Sequence, residues 1–450
     1  MIRATRYKKG WAVAGSLLVW LAVAALPARA QSQRKVPAKP PASQEKEDPL
    51  APLLQQAKDA IDKMDFAAAL DPLEKYIAQR PDDPYAHFQL GSSYVGLKRP
   101  EDAKSEFSRA IAIDSKMAAA HLNLGLVLMD SDPAAAAQAF VHAAELQPTE
   151  SRPRFLAGFS FEHAGKFPEA IEQYRAALLN SPKDYEVHFG LGRALLRSND
   201  APGAEAEFRA AIAVRADSAP ALLGLGNALL AQKKYQAAGD ALDGYLKLNP
   251  ADRAAHFNRA SALFELDRYD DALAELDRAG AGSASAPDQL KMRGNIYMLQ
   301  EKWKEAGDTL TQAVRLSPQD SELAGWLGHV DVELHQFPAA INILGQVYKQ
   351  NPQSVEPLRD LINAFFFNQN YAEALGAMDQ LAKLETPRPG SWFVRAICYD
   401  KLSHKVEAID AYQKFLDQDN GQHDTQDFQA RHRILTLQGE LGQTPKKQKK

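Results

Sequence analysis

Apolar side chains recur along this chain at spacings of three and four, as in LGRALL (191–196) and AEAEFRAAI (204–212). That spacing puts them on one face of an α-helix. The helical segments themselves recur. Ala69, Ala103, Ala136, Ala170, Ala204, Ala238, Ala272, Ala306, Ala340, Ala374 and Ala408 stand 34 residues apart, with one step of 33. Four residues after each comes a large apolar side chain, among them Leu73, Phe107, Phe140, Tyr174, Phe208, Leu242 and Tyr412. Twelve residues before many of these alanines stands a glycine: Gly91, Gly158, Gly192, Gly226, Gly294 and Gly328. Gly125 belongs to the same set, shifted by a deletion at Asp130–Asp132. Pro81, Pro148, Pro182, Pro250, Pro318 and Pro352 fall twelve residues after the alanine of their own unit. Each unit therefore predicts two helices: one from just after the proline to a short turn, the second ending before the next proline, which cannot continue it. Gly165 and Asn199 sit in such turns, where a left-handed residue ends a helix. The small residues mark places where the two helices approach closely.

The period also disposes of a motif. Gly190-Leu191-Gly192 has the look of a phosphate-binding turn, since backbone N–H groups at a helix start can hold an anion. The third glycine of a dinucleotide fingerprint is missing, because position 195 is Leu195, and no strand precedes. The same Gly-Leu-Gly returns 34 residues later as Gly224-Leu225-Gly226. Gly192 is then a helix-packing glycine, and Gly190 is expected to face the neighbouring turn.

The pattern W-x2-L-G-x2-Y, then A-x3-F, then P, resembles the tetratricopeptide repeat (TPR). The unit Ser151–Asp184 carries it most fully, with Ala157-Gly158, Phe161, Ala170, Tyr174, Ala177 and Pro182. The resemblance implies an all-α, right-handed superhelical solenoid of about eleven repeats over residues 50–422. Residues 423–442 then form an amphipathic helix that caps the open apolar end. It further implies that the first helices line a concave groove. The positions that face inward in such arrays fall here on Phe88, Phe155, Phe159, Phe189, Arg193, Phe257, Phe264, Lys291, Asn295, Arg359, Asn363, Phe366, Phe367 and Phe393. A stripe rich in rings and arginine fits capture of an apolar or extended peptide segment.

The ends of the chain differ from the repeats. Arg3, Arg6, Lys8 and Lys9 precede sixteen uncharged residues, Trp11–Leu26, and Ala28-Arg29-Ala30 follows Pro27. This is the layout of a secretory signal peptide over residues 1–30, with the mature chain starting at Gln31. The chain is thus expected to be exported, periplasmic or secreted, with no integral span after cleavage. Left uncleaved, the apolar run would anchor it to the inner membrane, although about 20 residues are usual for a span. Residues 31–49, rich in Pro, Lys and Gln, predict a disordered linker, and residues 443–450 a disordered basic tail.

Charge and chemistry narrow the function. The formal net charge is −4. The first 30 residues hold five positive charges, the linker is net +1 and the tail has four lysines, which leaves −14 for residues 50–445. A body that acidic argues against nucleic acid as a partner. The single cysteine, Cys398, excludes an internal disulfide and lies in a helical core pattern, RAICYD. His87, His121, His188 and His256 hold one repeat position, where Trp392 also falls. They are therefore expected to pack rather than to bind metal. No catalytic motif and no cofactor-binding motif is present, and the repeats leave no room for a catalytic domain. Lys291 and Asn295 match the first pair of the clamp with which one TPR subclass grips a peptide carboxylate. The later clamp positions hold Trp326, Glu356 and Asp360, which speaks against it. The expectation is a non-enzymatic scaffold of the cell envelope that binds protein or peptide segments. The alternative is a partner subunit of a separately encoded envelope protease or glycosyltransferase, or of a polysaccharide-export machine.

Overall fold

A computed structural model describes residues 48–280, 286–419 and 421–442. The expected signal peptide, nearly all of the expected linker and the basic tail lie outside the described residues. The described chain forms 23 helices and no strand. The first seven hairpins are α1 (Ala51–Asp62) with α2 (Phe66–Gln79), α3 (Pro84–Gly96) with α4 (Pro100–Ile113), α5 (Ala118–Leu128) with α6 (Pro133–Leu146), α7 (Ser151–His163) with α8 (Phe167–Asn180), α9 (Tyr185–Arg197) with α10 (Ala201–Val214), α11 (Ala219–Ala231) with α12 (Tyr235–Leu248), and α13 (Arg253–Phe264) with α14 (Tyr269–Gly280). Four more follow: α15 (Pro287–Leu299) with α16 (Trp303–Leu316), α17 (Ser321–Glu333) with α18 (Phe337–Gln350), α19 (Val355–Phe367) with α20 (Tyr371–Leu384), and α21 (Pro389–Lys401) with α22 (Lys405–Asp419). A last helix, α23 (Asp424–Glu440), lies on α22. The architecture is an all-α repeat solenoid.

Local chemistry sets the helix ends. Asp83, Asp184, Asp252 and Asp320 are N-caps whose carboxylates accept the first backbone N–H groups of α3, α9, α13 and α17. This satisfies donors that have no partner inside the helix. Each hairpin turn but one holds a left-handed residue: Gly165 at φ 73°, and nine non-glycines including Met64, Lys98, Asn199 and Glu301. Lys98 N–H bonds Val95 O and Arg99 N–H bonds Tyr94 O, the paired bonds that end a helix on a left-handed residue. The exception is the α5–α6 turn. The single 33-residue step has removed that residue, and Asp132 N–H returns directly to Leu128 O at 2.8 Å.

The repeat glycines make room for a side chain rather than for bare backbone. A Cβ on Gly192 would stand 2.9 Å from the Phe208 ring, and one on Gly158 2.8 Å from the Tyr174 ring. Each ring also reaches the next hairpin. Gly190 meets Tyr174 at 2.7 Å and Gly224 meets Phe208 at 2.5 Å. Gly190 therefore faces the ring of the preceding repeat, not a turn. One aromatic side chain is gripped by glycines of two successive first helices, so packing within and between repeats is one contact.

Consecutive first helices, such as α7 and α9 or α17 and α19, approach one another more closely than consecutive second helices do. The stack therefore curves with its first helices inside. The stretch RAGAGSASAP (278–287), whose Gly, Ala and Ser replace the usual helix end and proline, is expected from the sequence to be a weak joint, and its residues 281–285 lie outside the described residues. No helix among the described residues is long and apolar enough to cross a membrane.

Candidate functional site: the inner face of the array

The inner face inherits its register from the glycines. The position three residues before the small one carries Phe88, Phe155, Phe189 and Phe257 in the first seven hairpins, then Lys291, Arg359 and Phe393. The ring side chains are not equally available. Phe155 is half-buried and tilts onto Tyr174 at 6.0 Å between centroids. Phe189 stacks on Tyr185 at 5.9 Å and tilts onto Phe208 at 6.0 Å. Phe88 leans on Phe107, and Phe257 and Phe264 pack against the Leu263–Leu276 core. Phe393 is only 8% exposed, held between Tyr412 and Phe415, and belongs to the core rather than to a groove. Phe159 is different: its ring contacts are Phe155 on its own helix and His163, at 4.0 Å. Phe367 is 59% exposed, stacked on Phe337 and edge-on to half-buried Phe366.

The inner cations have carboxylates of their own. Arg193 Nη2 donates to Glu162 Oε2 at 2.7 Å, joining α9 to α7, while its guanidinium lies 5.2 Å over Phe189. Tyr174 donates to the same oxygen at 3.1 Å, and burial with Glu162 beside it pushes the phenol pKa up. Arg193 thus already has a carboxylate partner within the array. Lys291 Nζ sits 2.6 Å from Glu322 and 3.3 Å from Asp320, over the Trp326 ring. Arg359 forks onto Glu385 with bonds of 3.2 and 2.5 Å. Asn295 is half-buried and Asn363 exposed. Arg193 gathers Phe189 and the α7 rings into one patch. Lys291 and Asn295 lie farther along the array, and Arg359, Asn363, Phe366 and Phe367 beyond them.

Sequence reasoning missed Glu162. It stands four residues after Gly158, an inward position by the same register, so the signal was present. Glu322 also went unnamed; it pairs with Lys291 from the first turn of α17, and Trp326 lies under the same ammonium.

The histidines and the cysteine are structural. His87, His188 and His256 each place Nδ1 2.6 Å from a glutamate nineteen residues on and Nε2 within 3.1 Å of the Pro81, Pro182 or Pro250 carbonyl. Cys398 is fully buried, and burial pushes its thiol up to about 11. No cluster of three or more His, Cys, Asp or Glu among the described residues could hold a metal ion.

These features define a class: an α-solenoid of stacked helical hairpins. The tetratricopeptide repeat profile matches residues 54–117, 88–151, 160–220, 191–253, 223–287 and 359–423. The chain belongs to the tetratricopeptide repeat family. It is similar to a DnaJ homolog subfamily C member 7 homolog of Schizosaccharomyces pombe, with 32% identity over 113 residues, 24% of each chain. It is also similar to Hsp70-Hsp90 organizing protein 2 of Arabidopsis thaliana, with 22% identity over 205 residues, 43% of this chain and 35% of the relative. The curated relatives are matched over no more than 35% of their own length. Among solved structures, MamA aligns at TM-score 0.35 and 21% identity, covering 38% of this chain and 93% of that one. YrrB, described as a TPR protein with an unusual peptide-binding site, aligns at TM-score 0.38 and 18% identity, over 41% of this chain and 95% of that one. As a TPR array, the protein is a scaffold for protein–protein interaction.

Proposed function

We propose that this protein is an exported, non-enzymatic scaffold of the cell envelope that holds an apolar segment of another protein along its inner face. The observation that carries the reading is the patch on α7 and α9. There half-buried Phe159 meets the rings of Phe155 and His163 on its own helix, and half-buried Phe155 and Phe189 pack against the neighbouring core. Arg193 is already neutralised by Glu162, so the partner is recognised by apolar anchors rather than by acidic charge. Export rests on the sequence layout of residues 1–30.

The test starts from a partner captured out of envelope extract with residues 31–450 as bait. Calorimetry then compares wild type with Phe159→Ala and with the pair Phe159→Ala/Phe189→Ala. The pair should weaken binding by about 2–4 kcal/mol if both rings are anchors. Phe159→Ala alone should lower affinity with little change in melting temperature, whereas Phe189→Ala also removes contacts to Phe208 and Tyr185. Unchanged affinity in the pair sinks the groove. Intact mass of envelope material starting at Gln31 supports export, and retention of residues 1–30 overturns cleavage.

A further inference from the structure

The last helix departs from what the end of a solenoid requires. A helix that closes such a stack turns a polar face to solvent. Ala430, Ile434 and Leu437 of α23 are buried in one cluster with Tyr412 and Phe415 of α22. The opposite face is not polar. Phe428 is 71% exposed and Leu435 57% exposed, two turns apart on one stripe. Phe428 is the most exposed Phe, Tyr or Trp among the described residues. Its ring stacks on His432 of the same helix, at 6.3 Å between centroids. Leu441, just past the helix, is exposed as well.

Basic side chains frame this stripe. Arg431 and His432 stand between Phe428 and Leu435, and both are exposed. Two of the three carboxylates of α23 face other partners. Glu440 pairs with Lys405 at 3.1 Å and with Arg433 at 3.6 Å, and half-buried Asp427 lies 3.9 Å from Arg431. Asp424 remains exposed, in the first turn, at the far end from the residues that follow the helix. Those residues are QTPKKQKK (443–450), with four lysines and no acid. From Asp424 onward the chain carries six basic residues against three acidic, a net of +3, whereas residues 50–423 stand at −13. The sign of the charge reverses where the apolar stripe begins.

Two apolar side chains on one helix stripe offer little area for a stable protein interface, which needs about 800 Å² a side. They suit a lipid surface, where a single ring and a leucine sink among acyl chains while basic side chains meet headgroup phosphates. Such a surface repels the acidic repeats before α23 and attracts only this end of the chain. We infer that α23 and the lysines after it dock the protein peripherally onto an anionic phospholipid surface. Phe428 and Leu435 enter the interface, and Arg431 and the lysines face the phosphates. The contact uses no residue of the α7–α9 patch and leaves the inner face free for a partner.

The experiment floats residues 31–450, which hold every described helix, with two kinds of vesicle. One contains about 30% phosphatidylglycerol in phosphatidylcholine, the other phosphatidylcholine alone. The anionic vesicles should bind about tenfold or more tighter, and salt at about 1 M should remove most of that difference. Phe428→Ser with Leu435→Ser, both at exposed positions, should weaken binding to the anionic vesicles by about tenfold or more at an unchanged melting temperature. Replacing Lys446, Lys447, Lys449 and Lys450 together by Gln should weaken it by a similar factor. Should the serine pair melt lower, the lysine variant decides alone. Equal binding to both vesicles, no binding at millimolar lipid, or full binding in the lysine variant overturns the proposal, as does full binding in a stably folded serine pair. Self-association that the serine pair abolishes, with no vesicle binding, also overturns it and makes the stripe an interface between copies. None of these results bears on the Phe159 measurement, so the two readings fail separately.

Discussion

In α1–α14 three repeats tie their first helix to their second through a histidine–glutamate pair, buried in His256–Glu275 and partly buried in His87–Glu106 and His188–Glu207. In α15–α22 the same position holds Leu290, Ala324, Leu358 and Trp392. Both regions keep the 34-residue frame and both fold as hairpins. The first adds polar latches in which both ring nitrogens lie within hydrogen-bond distance of an oxygen, one on the glutamate and one on a proline carbonyl. The second relies on apolar contacts and on ion pairs at its inner rim, such as Lys291–Glu322 and Arg359–Glu385. The frame thus fixes topology, while the residues between its fixed positions decide how each repeat is held together.

The sharpest way to break this contrast is to remove one carboxylate from each region. Glu275 is 1% exposed and accepts from His256 at 2.6 Å, Arg259 at 2.5 Å and Arg278. Glu275→Ala leaves buried His256 Nδ1 without its partner, while Arg259 keeps Asp243 and Arg278 reaches solvent, and should cost about 2 kcal/mol. Glu322→Ala removes a largely exposed partner of Lys291 and should cost less than about 1 kcal/mol. Denaturant unfolding of both variants, with hydrogen exchange to place the loss, tests it. Equal losses would mean that the latch is not what distinguishes the first seven hairpins.

A second contrast separates gripped glycines from free ones. Gly192→Leu forces a side chain into the Phe208 ring and should destabilise by about 2 kcal/mol, after a partial offset from better helix propensity. Gly390, in the first turn of α21, has nothing within 4 Å of where its Cβ would be. Gly390→Leu should change stability by less than about 0.5 kcal/mol. A melting temperature raised by the first substitution and lowered by the second would refute the assignment.

The repeat fold was legible because one period governs every feature at once: small residue, ring, proline and left-handed turn. The inner face was legible in register but not in state. That Phe159 and Phe189 share a face follows from spacing. That Phe189 is pinned by Phe208 while Phe159 is not depends on which neighbour reaches it. Glu162 could have been found from the register, but its pairing with Arg193 crosses between repeats and has no local signature. The α20–α21 connection keeps the usual four residues, Glu385–Arg388, but its proline is displaced from position 386 to Pro387 and Pro389, and a proline holds the residue before it extended, so the usual turn bond does not form.

Asp331 is the smallest test and bears on the second region alone. It occupies a column otherwise filled by Tyr94, Leu128, Phe161, Leu195, Leu229, Leu263, Tyr297, Phe365 and Tyr399. It is 8% exposed, and no hydrogen bond or ion pair reaches its carboxylate among the described residues. Burial pushes its pKa from 3.8 up to about 6. Between those values the native state binds more protons than the unfolded chain, so this group's contribution to stability falls as pH rises. Its cost is absent well below pH 4, grows as pH rises toward 6 and is complete above that. Asp331→Leu should therefore stabilise the protein by about 1–2 kcal/mol at pH 7.5. The pH-dependent part of that gain should vanish on acidification. Nearby His329 is pushed up by its bond to Asp360, so the quantity to follow is the difference between variant and wild type, in which the histidine cancels. A difference that stays constant from pH 4 to pH 8 would show that the carboxylate finds solvent after all.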